Sequence, residues 1–521
     1  MDNTFRVTSD EHGQRLDRVL ARLLPEFSRG AIQKLVNGGC CHLDGQLQTS
    51  CSVRVREGQT ISCILPDTAT ELAPEDGAVD IVWQDEHLLV CNKVAGLTMH
   101  PCPSCTENTL VQRLLARFPS LGAMEGQRPG IVHRIDKDTS GLVMVALREP
   151  VRLALSEAFA RREVHKEYLA LVAGVPPAEG ESREPIGRDP VRKTRMAVVP
   201  TNHGGRDAHS EWRVLWTAPD ESCSLLDVRI HTGRTHQIRV HMAHAGHPLL
   251  GDAVYAPTGV RERAPRQMLH AWHLEFAHPV TGEQLRLACP PPADMREAAL
   301  QACAAMQRVI VVGAPGCGKS ALVAALAQRG LPVFSADACV AELYGPNGEA
   351  GRWLASMAGP GVLGADGSVD KRALFDAMQR DAVLKRDVEA MVHGLVRERL
   401  AAFWQTQEQT SQPVAVAEIP LYLECGWREI HAVLVGVSCP LETRVARLEA
   451  TRGWGREKIA TMEAWQWDVA RKEKACDILV DNASDLEALE CEALKLCDTL
   501  AKRRQEELAA QSRAIDAIFN G

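Results

Sequence analysis

The sequence predicts a multidomain chain of mixed α+β and α/β type. It reads as a small αβ module, a larger domain of mixed strand and helix, and a parallel α/β domain with a helical tail. Three observations carry this. The chain has 521 residues, which at about 100–200 residues per domain allows about three domains or more. Two proline-rich breaks, 66–78 and Pro290-Pro291-Pro292, divide it. Beyond the second break an apolar strand, Val309-Ile310-Val311-Val312, runs into a glycine-rich loop, and strands alternate with helices to about Asp481, the pattern of a parallel sheet.

Residues 15–23 space their apolar side chains as a helix does, with Arg15, Arg18 and Arg22 on the other face. Ser28 suits the N-cap of a second short helix carrying Arg29, Ile32, Lys34 and Leu35, which Gly38-Gly39 stops. A short strand, an Asp44-Gly45 turn and a strand of alternating Val and Arg near Val53–Val55 complete a compact module with one basic face. Pro66 to Ala78 is rich in Pro, Asp, Glu and Thr and reads as a linker. From Val79 to Cys289 strands and helices mix with many turns. An Ala-rich helix follows Pro292, and the tail from Asp485 is helical and charged.

Hydrophobic content of 45% and charged content of 24% are those of a soluble globular protein. A net charge of −8 argues against a nucleic-acid coat protein but leaves room for a local basic groove. The 17 cysteines lack framework spacing and read as free thiols of a reducing compartment. The N-terminus has no apolar stretch of a secretion signal, and no apolar run is long enough to span a bilayer. A cytoplasmic protein without a membrane partner is therefore expected, and no obligate protein partner is evident.

Gly130 to Gly141 reads Gly-Ile-Val-His-Arg-Ile-Asp-Lys-Asp-Thr-Ser-Gly, a polar turn between apolar strands that carries Asp136 between basic neighbours. Such a carboxylate can serve as a nucleophile or as an ordinary ion-paired turn residue. The string resembles the catalytic signature of the ribosomal large-subunit type of pseudouridine synthases, with Ile135 in place of their Leu. Three further stretches resemble that family in order: Asn92-Lys93-Val94-Ala95-Gly96-Leu97, Lys166-Glu167-Tyr168, and Thr232-Gly233-Arg234-Thr235-His236-Gln237-Ile238-Arg239. The resemblance covers roughly residues 10–290. It implies a small RNA-binding domain at 1–70 and a synthase domain with a mixed antiparallel sheet at 75–290. It also implies isomerisation of uridine in RNA, most of all ribosomal RNA, without cofactor or metal. In that family's terms Asp136 is the nucleophile, Arg234 pairs with it, and Tyr168 stacks on the flipped base.

Two rival signals lie nearby. Cys102-Pro103-Ser104-Cys105 has zinc-knuckle spacing but no second pair. His231, His236, His241, His244 and His247 form a run that reads as metal ligands or, more simply, as loop and strand histidines near RNA.

Gly313-Ala314-Pro315-Gly316-Cys317-Gly318-Lys319-Ser320, followed by Ala321, matches the Walker A pattern in its confirming context of strand, loop and helix. Glycines let backbone N–H groups converge on phosphate oxygens, the helix N-terminus adds its dipole, Lys319 reaches the β- and γ-phosphates, and the Ser320 hydroxyl ligates Mg²⁺. ATP with Mg²⁺ is thus the expected cofactor. Phe334-Ser335-Ala336-Asp337, Asp370 to Leu374, Ile419 to Glu424, Cys439-Pro440 with Arg444 and Arg447, and Asp481-Asn482 resemble dephospho-CoA kinases in order. That resemblance implies a kinase domain at 305–521 that phosphorylates the ribose 3′-hydroxyl of dephospho-CoA. Asp337 would orient the hydroxyl, and Arg447 would neutralise transferring phosphate. Ser335 stands where the family has Asp, and Gly394 where it has Pro. The alternative is an active synthase joined to a kinase-like domain that only senses ATP or acts on another nucleotide.

Overall fold

The structure, a computed structural model, describes residues 2–24, 29–64, 72–102, 105–124, 128–346 and 348–520. Ser28, expected as an N-cap, residues 66–71 of the first linker, and Pro103-Ser104 of the Cys-x-x-Cys turn lie outside the described residues. The chain forms two compact units: Met1–Val79 with Thr98–Ile131 and Ala146–Glu149, and Asp80–Leu97 with Val132–Val145 and Pro150–Gly521.

In the first unit the helix Leu16–Leu23 buries Leu16, Val19 and Leu20, one stripe at helical spacing. With Ile32 and Val36 of the helix Arg29–Asn37 it covers an antiparallel sheet of strands Asp2–Arg6, Thr60–Ile64, Cys41–Leu43 and Gln46–Gln48. The strand expected near Val53–Val55 is a correction. Arg54 makes only an isolated bridge to Arg15, and the strand lies later, at Thr60–Ile64, where Ile61 and Cys63 alternate inward. The first helix's basic face is partly neutralised, because Arg15 pairs with buried Asp17 and Arg22 with buried Glu11.

The second unit contains two main sheets and a two-stranded ribbon, Ile186–Arg188 with Met196–Val198. The larger has nine strands, in the order Asp80–Gln84, Leu88–Lys93, Ser140–Ala146, Leu269–Ala277, His165–Ala173, Cys223–Ile230, Ser210–Thr217 and Glu179–Ser182, with Gln284–Ala288 added beside Leu269–Ala277. Leu269–Ala277 runs parallel to Ser140–Ala146 and antiparallel to His165–Ala173 and Gln284–Ala288, and from His165–Ala173 to Glu179–Ser182 each strand runs antiparallel to the next. Ser140–Ala146 is buried along its whole length, which is why it reads as an apolar run rather than an alternation. The smaller sheet is wholly parallel, in the order Val333–Ser335, Val414–Glu418, Gln307–Val312, Ala432–Ser438, Ile478–Asp481. Helices cover both its faces, as parallel strands require.

The tail is one helix, Leu486–Asn520, that belongs to two cores. Leu489, Ala493, Leu496 and Leu500 pack with the parallel sheet. Ile515 and Phe519 pack with Leu169, Leu250 and Met295 of the larger-sheet region. Arg296 forks onto Asp516 at 2.7 and 2.9 Å, and Trp216 Nε1 donates to Gln511 Oε1 at 2.7 Å. Among the described residues no helix is long and apolar enough to cross a membrane.

Candidate active sites

Asp136 lies on the irregular stretch that precedes the buried strand Ser140–Ala146. That stretch is tied from behind by Lys93. Its ammonium, 1% exposed, donates to the carbonyls of Val94, Leu97 and Lys137 at 2.8–3.0 Å, and Gly96 N–H adds a bond to Lys137 O at 2.9 Å. The Asn92–Leu97 motif thus acts as a buttress for the Asp136 loop. In front, a cleft of about 440 Å³ is lined by Asp136, Arg134, Lys166, Tyr168, Arg234 and His236 among others.

Arg239, buried on the helix Gln237–His244, faces Asp136. Its Nη1 donates to Asp136 Oδ2 at 3.0 Å, while Nε and Nη2 grip Asp252 at 2.7 and 2.8 Å. One planar guanidinium therefore bridges two carboxylates, a geometry that a lysine cannot copy. Burial pushes the Asp252 carboxyl up, but the Arg239 fork and the N–H groups of Val254 and Tyr255 outweigh it and hold it below its ordinary value. Tyr168, 6% exposed on the strand His165–Ala173, has its phenol pushed up by burial and by the Asp136 charge, so it stays protonated. Burial pulls Lys166 down to about 8. His236 lies 3.8 Å from Asp136 and 2.9 Å from the Tyr255 hydroxyl.

Arg234 is the correction here. It does not pair with Asp136: its Nε donates to Asp207 O at 2.9 Å, and its backbone N–H donates to Gln237 Oε1. It sits in the turn before the helix, where Arg206 and Arg162 lie near enough to lower its pKa after burial has done so. Arg239, five residues on, is on the helix face that turns inward. The sequence carried a signal for it, an Arg within the same motif on a helix whose Gln237, Ile238 and Val240 are also buried. Asp252 had no local signal and is found only through its fork to Arg239.

The glycine-rich loop follows the strand Gln307–Val312 and opens the helix Lys319–Gln328. Gly318 has φ +97°, and a Cβ there would collide with the Asn482 side-chain amide, so only glycine fits. Lys319 Nζ donates to the loop carbonyls of Gly313 and Ala314 at 3.1 Å. Ser320 Oγ donates to Glu418 Oε1 at 2.7 Å. Glu418, 3% exposed at the end of the strand Val414–Glu418, escaped the sequence reading; an acid closing the run Val-Ala-Val-Ala was its signal. Hydroxyl and buried carboxylate together form the oxygen donor set that a hard divalent cation takes.

Asp337 lies exposed in the first turn of the helix Ala336–Leu343. Ser335 is that helix's N-cap, its Oγ accepting from Ala338 N–H at 3.3 Å. Arg447 is held by the carbonyls of Asn482 and Ser484 at 3.0 and 2.6 Å, and it borders an opening of about 620 Å³ with Gly318, Ala321 and Asn482. Buried Arg444, not Arg447, is the one that reaches back to the loop, at Pro315 O. The histidine run disperses: His241 bonds Ser210 and Glu184, His247 bonds Ala173, and of the run only His231 falls in a group of three metal-ligating side chains.

Comparison with known proteins finds three family matches along the chain. The RNA pseudouridylate synthase model matches residues 87–244, the dephospho-CoA kinase model 308–488, and the S4 domain model 14–61. An uncharacterized RNA pseudouridine synthase of Chloroflexus aurantiacus is 42% identical over 291 residues, 56% of this chain and 90% of that protein. A ribosomal large subunit pseudouridine synthase D of Xanthomonas campestris is 39% identical over 312 residues, 57% of this chain and 92% of that protein. A solved dephospho-CoA kinase from Campylobacter jejuni is 19% identical, covers 37% of this chain and 97% of its own, and superposes with a TM-score of 0.29. The chain belongs to the RNA pseudouridine synthase family and carries a dephospho-CoA kinase domain after its synthase domain.

Proposed function

We propose that the chain is a cytoplasmic enzyme with two separate active sites, divided as 1–70, 75–290 and 305–521, which makes pseudouridine in ribosomal RNA and coenzyme A from dephospho-CoA. The observation that carries the first half is the Arg239 bridge aiming Asp136 into a cleft walled by buried Tyr168. Asp136 is the nucleophile. The C1′–N1 bond of uridine breaks, the uracil turns, a C1′–C5 bond forms, and the C5 hydrogen leaves to solvent as N1 gains a proton. Tyr168 stacks on the flipped base. Arg234, with Arg162 and Arg206 beside it, holds RNA phosphate rather than the nucleophile. The ribosomal large subunit named for the Xanthomonas relative supports ribosomal RNA as the substrate.

In the kinase half the loop 313–320 cradles ATP phosphates, with Lys319 at the β- and γ-phosphates. Ser320 and Glu418 would hold Mg²⁺, which supplies charge neutralisation of the triphosphate. Asp337 orients the 3′-hydroxyl. Val340 and Tyr344, three and seven residues on, share its helix face and line an apolar cleft of about 250 Å³ with Leu374, Phe375 and Lys371, suited to the pantetheine arm. Arg447, which borders an opening with Gly318 and Asn482, neutralises charge on the transferring phosphate. The alternative of a merely sensing kinase domain is not favoured: the dephospho-CoA kinase model spans residues 308–488, and Ser320 pairs with Glu418 beside the phosphate loop.

The test is a pair of assays on the purified chain: tritium release from ribosomal RNA labelled at uridine C5, and ATP consumption dependent on dephospho-CoA with coenzyme A as the product. Both activities are expected. Dephospho-CoA without effect on ATP turnover would remove the second half of the proposal, and no tritium release from any ribosomal RNA would remove the first.

A further inference from the structure

On the outer face of the larger sheet, three neighbouring strands bring two histidines and two carboxylates together. His209 and Glu211 flank Ser210, so they point to the same side of the strand Ser210–Thr217. His231 follows directly on the strand Cys223–Ile230, with Ser210 opposite Ile230 and His231 N–H bonded to His209 O. Glu181 stands opposite Glu211 on the strand Glu179–Ser182. The two imidazoles stack with centroids 4.3 Å apart and planes 15° from parallel. His209 Nε2 lies 3.3 Å from Glu211 Oε1 and 3.0 Å from Glu181 Oε2, and His231 Nε2 lies 3.1 Å from the same Glu211 oxygen. The ligand atoms of His209, Glu211 and His231 all fall within 4.8 Å of one another, the one such group among the described residues.

These separations match a coordination polyhedron. Metal–ligand bonds of about 2.0–2.1 Å in a tetrahedron put neighbouring ligand atoms about 3.3 Å apart. His231 adds a second observation: its Nε2 is shielded from solvent and meets Glu211 Oε1 at 3.1 Å without the geometry of a hydrogen bond. A shielded ring nitrogen that faces a carboxylate without an aligned hydrogen bond costs free energy that a cation bound between them would recover.

We propose that His209, Glu211 and His231, with Glu181 as the fourth ligand, bind one first-row divalent transition-metal ion of the zinc class. Two imidazole nitrogens select such ions over magnesium or calcium, which prefer all-oxygen shells. The site has a structural role at the base of the catalytic loop. Thr232, Gly233 and Arg234, which line the Asp136 cleft, follow His231 directly. Gln237 ties this loop to the other strand: it donates to His209 O at 2.9 Å and accepts from Thr232 Oγ1 and Arg234 N. An ion joining His209 to His231 fixes both strands where that loop departs.

The experiment is Co²⁺ and Zn²⁺ titration of the chelator-treated full-length protein, beside a His209→Asn/His231→Asn double variant and Glu211→Gln. The wild type is expected to bind Co²⁺ with the visible bands of a tetrahedral nitrogen–oxygen site and no sulfur charge-transfer band, and to melt higher with Zn²⁺. The double variant should lose these bands and the Zn²⁺-dependent rise in melting temperature. Glu211→Gln, which keeps the side-chain shape, should bind at least about tenfold more weakly for want of an anionic ligand. Matching melting curves of the metal-free proteins show that the variants fold. Equal stoichiometry and identical spectra in wild type and double variant, thiolate bands alone, or no binding by the wild type would each overturn the site.

Discussion

Arg239 touches two carboxylates, and its replacement should affect stability and chemistry separately. Removing its charge, as in Arg239→Met, strands Asp252 at 0% exposure and should cost about 3–5 kcal/mol. Arg239→Lys keeps a charge but cannot fork, so the protein should fold while tritium release slows by about 100-fold. Arg234→Ala should instead raise KM for RNA and leave kcat nearly unchanged, which steady-state kinetics on the same substrate will separate. His270 makes a pH prediction. Burial holds its imidazole at about 4, below the ordinary 6.5, with its ring nitrogens 2.9 Å from Ser140 Oγ and 3.0 Å from Cys289 O. The unfolded chain binds the extra proton between those values, so stability falls as pH drops from 6.5 towards 4, by about 3 kcal/mol at most. Denaturant melts across that range should show a shallower slope in His270→Gln. Asp136, Tyr168 and the loop 313–320 were legible in the sequence because each sits in a contiguous string. Arg239's partner was not, since Asp252 is brought to it by folding alone.

At the scale of elements, Ser335, where the family resemblance leads one to expect Asp, stands at the start of the helix Ala336–Leu343. Ser and Asp are both favourable N-cap residues, and Ser335 caps this helix by accepting from Ala338 N–H. Ser335→Ala should lower kinase-domain stability by about 1 kcal/mol, whereas Ser335→Asp should leave it within about 0.5 kcal/mol, as urea unfolding will show. Lys93 belongs to a motif that the sequence marked only by family resemblance, and in the structure it is the strut under the Asp136 loop. Periodicity found the long elements, such as the parallel strands and the charged tail helix. It failed at Val53–Val55, where alternation extends over too few residues to tell a bridge from a strand. The His231 cluster was equally hidden, because its members come from three strands and a sequence run displays only one of them.

For the whole molecule, the tail helix is the element that joins two chemistries into one second unit. Its first half completes the kinase core, and its last turns fill the synthase region with Ile515 and Phe519. The charged composition of the tail was visible in sequence, but its few apolar residues did not reveal a second docking site. Deleting residues 507–521 exposes Leu250 and Met295 and removes the Arg296–Asp516 fork. At about 1.5–3 kcal/mol for each large buried side chain, the synthase melting transition should drop by several degrees. Two sites that share a scaffold but no reacting atoms should fail separately. The direct test is a crossed assay on full-length protein, measuring tritium release from RNA and coenzyme A formation in Asp136→Asn and in Lys319→Ala. Asp136→Asn should abolish only the first activity and Lys319→Ala only the second; loss of both activities in either variant would contradict two independent active sites.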